Sequence, residues 1–186
     1  MFTGRTSRFC GEMSAIDNTL PAMGNDLWEL EGQRDQALEN NNGPLVDRCS
    51  QRILEIAKQA YTIAQKHGPD EEMAAHVAAL ALRMMGRWEE SEGGYQRVLK
   101  LNPVNAEAWL ELTWVRAELG KTKAALEAAH TAAQLMPEHA EAWLNLAACL
   151  VEADEFDTAL EALEEAERLE PDNPRVSELR ATLLNK

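Results

Sequence analysis

The sequence predicts an all-α solenoid of antiparallel helix pairs, and three observations predict it. Pro69, Pro103, Pro137 and Pro171 follow one another at intervals of 34 residues. Proline cannot continue a helix and restricts the residue before it, so four in register mark equivalent helix ends. The residues around them repeat as well. Leu99 to Trp109 and Leu135 to Trp143 share a helix exit, a proline turn and a helix entry that ends Ala-Glu-Ala-Trp. Composition agrees, with 45% hydrophobic but only 5% aromatic residues and a second half rich in Ala, Leu and Glu, which favours helix over strand.

Each unit reads as two helices joined by a tight turn, at Gly86 to Ser91, Gly120 to Ala125 and Asp154 to Ala159. Glycine there supplies the left-handed conformation that ends a helix at low cost. The units fall at 72–105, 106–139 and 140–173, and Pro174 opens a capping helix over 174–185 whose apolar face is Val176, Leu179 and Leu183. Upstream, Asn41-Asn42-Gly43-Pro44 separates two predicted helices, Asp26 to Asn40 and Leu45 to Lys66. They make a divergent pair over 25–69, the second helix burying Leu45, Cys49, Ile53, Ile56, Ala60 and Ile63 at helical spacing. Residues 1–24 are expected to be unstructured or loosely docked. Met13 or Met23 as the true start, and a weak transit peptide, are the alternatives there.

The repeating unit resembles the tetratricopeptide repeat, whose pattern is W-x2-L-G-x2-Y, then A-x3-F, then P, over 34 residues. In 140–173 the matches are Trp143, Leu146, Ala147, Leu150, Ala159, Leu163, Ala166 and Pro171. In 106–139 they are Trp109, Leu112, Ala125, Ala129, Ala132 and Pro137, with Thr113 at the small slot and Arg116 at the tyrosine slot. The unit 72–105 is looser, with Ala75, Ala78, Ala79, Leu82, Ser91, Tyr95, Val98 and Pro103. Trp28 and Gly32 keep the family's tryptophan-to-small spacing, which makes the first pair a candidate fourth repeat. The resemblance implies a right-handed superhelix whose concave surface, lined by first helices, binds partner peptides.

Charge narrows the partner. With 18 basic against 32 acidic residues the net charge is −14, a field that repels nucleic acid and anionic membrane. Glu138 to Asp172 holds twelve acids against Arg168 alone, which reads as a solvated outer face with an acidic docking patch as the alternative. Cys10, Cys49 and Cys149 lie too far apart for a metal site or disulfide framework, and Cys49 and Cys149 read as buried thiols. No apolar run is long enough for a secretion signal or membrane span, so the expected setting is the cytoplasm.

A helical wheel puts Met73, His76, Leu80 and Arg83 on the same face as Glu107, Leu110 and Trp114 of the next unit. Glu141, Leu144, Asn145 and Ala148 continue it. The predicted groove is apolar along its middle with acidic edges. Inter-repeat packing is the competing account of Leu80, Leu110 and Leu144, whereas Trp114 is expected to be partly exposed. Some members of the resembled family clamp the C-terminal carboxylate of chaperones. At the corresponding positions this chain has His76, Leu80, Glu111, Glu141 and Asn145, of which only Asn145 suits an anion. The partner is therefore an apolar segment with positive charge, an amphipathic helix or extended peptide. A dedicated chaperone for a secreted or aggregation-prone protein, and self-assembly through Phe2, Phe9, Ile16 and Leu20, are the alternatives.

No catalytic constellation, cofactor motif or metal-ligand spacing is present, since His67, His76, His130 and His139 are scattered. The pair Gly93-Gly94 costs a helix about 2 kcal/mol relative to alanines. Close approach of a bulky neighbour such as Trp88 is the expected reason, with a flexible point as the alternative.

Overall fold

The computed structural model describes residues 20–66 and 70–184, which form helices and turns. The helices are α1 (Leu20–Glu39), α2 (Gly43–Ala64), α3 (Glu71–Met84), α4 (Trp88–Leu101), α5 (Ala106–Glu118), α6 (Thr122–Leu135), α7 (Ala140–Glu152), α8 (Phe156–Leu169) and α9 (Pro174–Leu184). Each packs on the next, and the first helices of successive pairs also touch, α1 on α3, α3 on α5 and α5 on α7. That double contact stacks the pairs into a superhelix with the odd-numbered helices side by side.

One turn design closes every pair. At Gly86 (φ 68°), Gly120 (φ 67°), Asp154 (φ 60°) and Asn41 (φ 53°) the chain turns left-handed. The amide after each reaches back to the carbonyl five residues earlier: Arg87 to Leu82, Lys121 to Arg116, Glu155 to Leu150 and Asn42 to Ala37, at 2.8 to 2.9 Å. This is the Schellman closure, which satisfies the last carbonyls of the first helix. Between pairs, the indole Nε1–H of Trp109 donates to the Pro103 carbonyl and that of Trp143 to the Pro137 carbonyl, both at 2.9 Å. The tryptophan and proline of the repeat are thus partners in one joint.

Small residues let the helices approach. Ala74, Ala79, Ala81, Ala108, Ala128, Ala129, Ala142 and Ala147 are completely or almost completely buried. The expected bulky neighbour of the glycine pair is instead an alanine. A Cβ on Gly94 would lie 2.7 Å from the Ala79 Cβ, while Gly93 has open space before it. Ser91 Oγ–H donates to the Ala79 carbonyl at the same crossing, at 2.9 Å. Arg116, at the family's tyrosine slot, has a different reason: its Nε meets Glu92 Oε1 at 3.3 Å and its Nη1 donates to the Ala124 carbonyl at 2.9 Å. Lys121 Nζ completes the group on Glu92 Oε2 at 2.6 Å, and together they hold the Glu92 carboxyl below its usual range.

The first pair departs from the reading of the sequence at two points. Helix α1 begins at Leu20, not Asp26, because Leu20 and Met23 are buried in the core, so 20–24 are helix. Residues 1–19, with Phe2, Phe9, Cys10 and Ile16, and His67 and Pro69, lie outside the described residues. Trp28 does not play the joint role of Trp109 and Trp143; it is 53% exposed, off the buried stripe of Leu20, Met23 and Leu27. In α2 the stripe Cys49, Ile53, Ile56, Ala57, Ala60 and Ala64 is buried, with Leu45 and Ile63 half-buried. Cys49 and Cys149 are buried free thiols, and burial with Glu152 nearby pushes Cys149 up to about 11.

Candidate functional site

A groove of about 550 Å³ runs across the first helices. Helix α1 supplies Trp28, Glu31 and Asp35, α3 supplies His76, Leu80 and Arg83, α5 supplies Glu107, Leu110, Glu111 and Trp114, and α7 supplies Glu141 and Asn145. Met136 and His139, in the turn before α7, complete the lining. These helices present one row each because residues three, four and seven apart share a helical face.

Eight residues of the expected face line this groove: His76, Leu80, Arg83, Glu107, Leu110, Trp114, Glu141 and Asn145. Met73, Leu144 and Ala148 do not. Met73 is half-exposed outside it, whereas Leu144 is 1% exposed and belongs to the core between α6 and α9. Leu144 packs inside the core that α6, α7, α8 and α9 share, with Leu110 at its margin. Arg175 of α9 reaches Asn145 Oδ1 at 3.1 Å and Glu141 at 3.8 Å, so the capping helix closes the groove beside Ala148. Leu80 is buried beneath the groove floor, and Leu110 is half-buried against the downstream core while still facing the groove. Packing and lining are therefore both true of Leu110.

Five carboxylates line the groove: Glu31, Asp35, Glu107, Glu111 and Glu141. Its arginine, Arg83, is buried, with Nε 2.8 Å from Glu111 Oε2 and Nη2 3.7 Å from Glu31 Oε2. The 2.8 Å contact is an ion pair whose atoms are not aligned as a hydrogen bond, and Tyr95 Oη, buried beside them, also has no aligned partner. The guanidinium carbon lies 5.1 Å from the ring centre of Trp114 and 5.6 Å from that of Trp28, within cation–π range. Both rings remain half-exposed. Burial pushes the Glu111 carboxyl above its usual range, with Arg83 opposing. His76 packs edge-on against Tyr95 at 5.5 Å, and burial lowers its basicity against the pull of Glu107 and Glu72. At neutral pH the groove is thus acidic, with its cation spent internally.

The α1 side of the groove, Trp28, Glu31 and Asp35, carries no signal in the sequence. By the family's spacing Trp28 marks a candidate repeat and not a groove residue, and nothing local marks Glu31 or Asp35 as groove residues. Glu111 was visible as an acid at a clamp position. Met136 and His139 sit in a turn, where helical spacing gives no signal.

The fold defines a helical-repeat protein with a concave, acidic groove. Tetratricopeptide repeat models match residues 76–134 and 116–183, and the chain belongs to the tetratricopeptide repeat family. No curated protein matches it in sequence. Among solved structures it is similar to a tetratricopeptide repeat protein from Parabacteroides merdae (17% identity, TM-score 0.65), over 86% of this chain and 59% of that one. It is also similar to the Arabidopsis OM64 repeat domain (18% identity, TM-score 0.59), over 61% of this chain and 94% of that one. A third is the second repeat domain of human RPAP3 in complex with an HSP70 peptide (17% identity, TM-score 0.61), over 64% of this chain and all of that domain. At these identities the likeness is one of fold.

Proposed function

We propose that this protein is a non-catalytic scaffold that captures a segment of another protein in its concave groove, and that the segment carries large apolar side chains and positive charge. The observation that carries this is the pair of half-exposed tryptophans, Trp28 and Trp114, set among five carboxylates. Tryptophan is enriched at binding hot spots because it buries a large area for little conformational entropy. A partner cation is attracted by the groove, and an acidic tail is repelled. The HSP70 peptide held by the RPAP3 domain, SGPTIEEVD, has three acids and is the wrong charge for this surface.

Three repeats at 72–105, 106–139 and 140–173, preceded by the divergent pair, are the units of this reading. Among the described residues no helix is long and apolar enough to cross a membrane. The buried free thiols support a reducing, cytoplasmic setting.

Affinity capture with the full chain and with the double variant Leu110→Ser, Trp114→Ala tests the reading. The expected result is loss of a specific partner from the variant while its helical circular dichroism is kept. An unchanged set of captured partners would remove the groove as the site. A partner that becomes insoluble without this chain favours the dedicated-chaperone role, and recovery of the chain's own second copy favours self-assembly.

A further inference from the structure

We infer that Arg83 pins Trp28 and Trp114 into one contact surface, extending the binding groove beyond the matched repeats onto α1, and that this surface is closed to a partner's cation. The inference rests on the groove reading above and adds which part of the partner meets the tryptophans.

The chain of contacts is continuous. Arg83 is 6% exposed, on α3. Its guanidinium lies over Trp28 and near Glu31, both of α1, and over Trp114 and against Glu111, both of α5. Helices α1 and α5 do not pack on one another; each packs on α3. The side chain of Arg83 is therefore a direct link between the two tryptophans. Family models begin at residue 76, so α1 lies outside the repeats they match. Without Arg83, the buried Glu111 carboxylate would lose its counter-charge, and α1 would lose its ion pair to α3 while keeping the hydrogen bond from Arg34 to the Met84 carbonyl.

Occupancy decides the ligand chemistry. Two indole faces beside two carboxylates are what a guanidinium or ammonium group seeks. Here that position is filled from within the protein by Arg83. A second cation would meet the first at close range and find both carboxylates already paired. What the tryptophans offer outward is apolar ring surface, which fits a large aliphatic or aromatic side chain. A basic side chain of the partner is directed to Glu107, which is exposed in the first turn of α5 and lines the same groove. Glu107 precedes Trp114 by seven residues, about 10 Å along the helix at 1.5 Å per residue. A partner basic residue at i and an apolar one at i+7 on a helix span the same distance.

Chemical rescue in the full-length chain tests the pin. The indole N–H signals of Trp28 and Trp114, assigned through Trp28→Phe and Trp114→Phe, and amide exchange across α1 are followed by NMR. In Arg83→Ala both indole signals are expected to move and α1 amides to exchange roughly tenfold faster, while α7 and α8 keep their protection. Ethylguanidinium should reverse both changes, and urea, a neutral molecule of similar shape, should not. Ethylguanidinium added to the wild type should leave both indole signals in place. If Arg83→Ala does not fold, Arg83→Met carries the same readouts. Unchanged indoles and α1 exchange, equal rescue by urea, or a wild-type response to ethylguanidinium would each overturn the inference. None of these measurements uses a peptide, so the pin stands or falls separately from partner capture.

Discussion

Gly94 of α4 lies so close to Ala79 of α3 that a methyl group on it would sit 2.7 Å from the Ala79 Cβ. Its neighbour Gly93 faces open space. Two adjacent glycines in one helix therefore have opposite expected responses to alanine. Gly94→Ala should destabilise by about 1–3 kcal/mol, since the overpacked crossing outweighs the gain in helix propensity. Gly93→Ala should stabilise by about 1 kcal/mol. Urea unfolding of the two variants measures both; a gain from Gly94→Ala would show that the α3–α4 crossing yields.

The left-handed turn residues give a second pair. Asp154 adopts φ 60° where Gly86 and Gly120 adopt 68° and 67°. A side chain is strained in that region, so Asp154→Gly should stabilise by about 0.5–1 kcal/mol. Gly120→Ala should destabilise by a similar amount. Thermal melting is the check, with the two shifts expected in opposite directions.

Two leucines that looked alike in the sequence should separate. Leu144→Ala removes a side chain that is 1% exposed and should cost about 2–5 kcal/mol, through lost burial and the cavity left behind. Leu110, half-buried and facing the groove, should be cheaper to replace. Equal losses for Leu144→Ala and Leu110→Ala would place both in the core.

His76 makes a pH prediction. Burial lowers its folded pKa below the ordinary 6.5, so the unfolded chain binds the proton more readily. Stability from this source is complete above 6.5 and falls as pH drops below it. Glu111, whose folded pKa is raised, contributes the opposite slope as pH falls toward its titration. Comparing His76→Gln with wild type isolates the histidine's share. Between about pH 7.5 and about pH 5.5 the wild type should lose more stability than the variant. Parallel losses in urea unfolding would mean that His76 accepts its proton freely in the folded chain.

The sequence by itself determined the period, the turns and the helix ends of the three repeats of this protein. Prolines forbid helix continuation wherever they stand, and glycine at a left-handed turn is a local requirement, so both are readable without knowing the neighbours. The exposed face of α5 was also legible, because helical spacing alone puts Glu107, Leu110 and Trp114 together. Only the tertiary structure decided what lies opposite that face. Trp28 keeps the family's spacing yet faces the groove, because α1 and α2, at 20 and 22 residues, break the register of the later pairs. Leu144 has the same helical position as Leu110 yet is buried, because it sits inside the core shared by α6, α7, α8 and α9 while Leu110 lies at that core's margin. Arg83 falls on the groove face by helical spacing, but nothing in the sequence marks it as buried. Its burial between carboxylates and indoles from α1 and α5 exists only once three helices, separated by dozens of residues, are packed side by side.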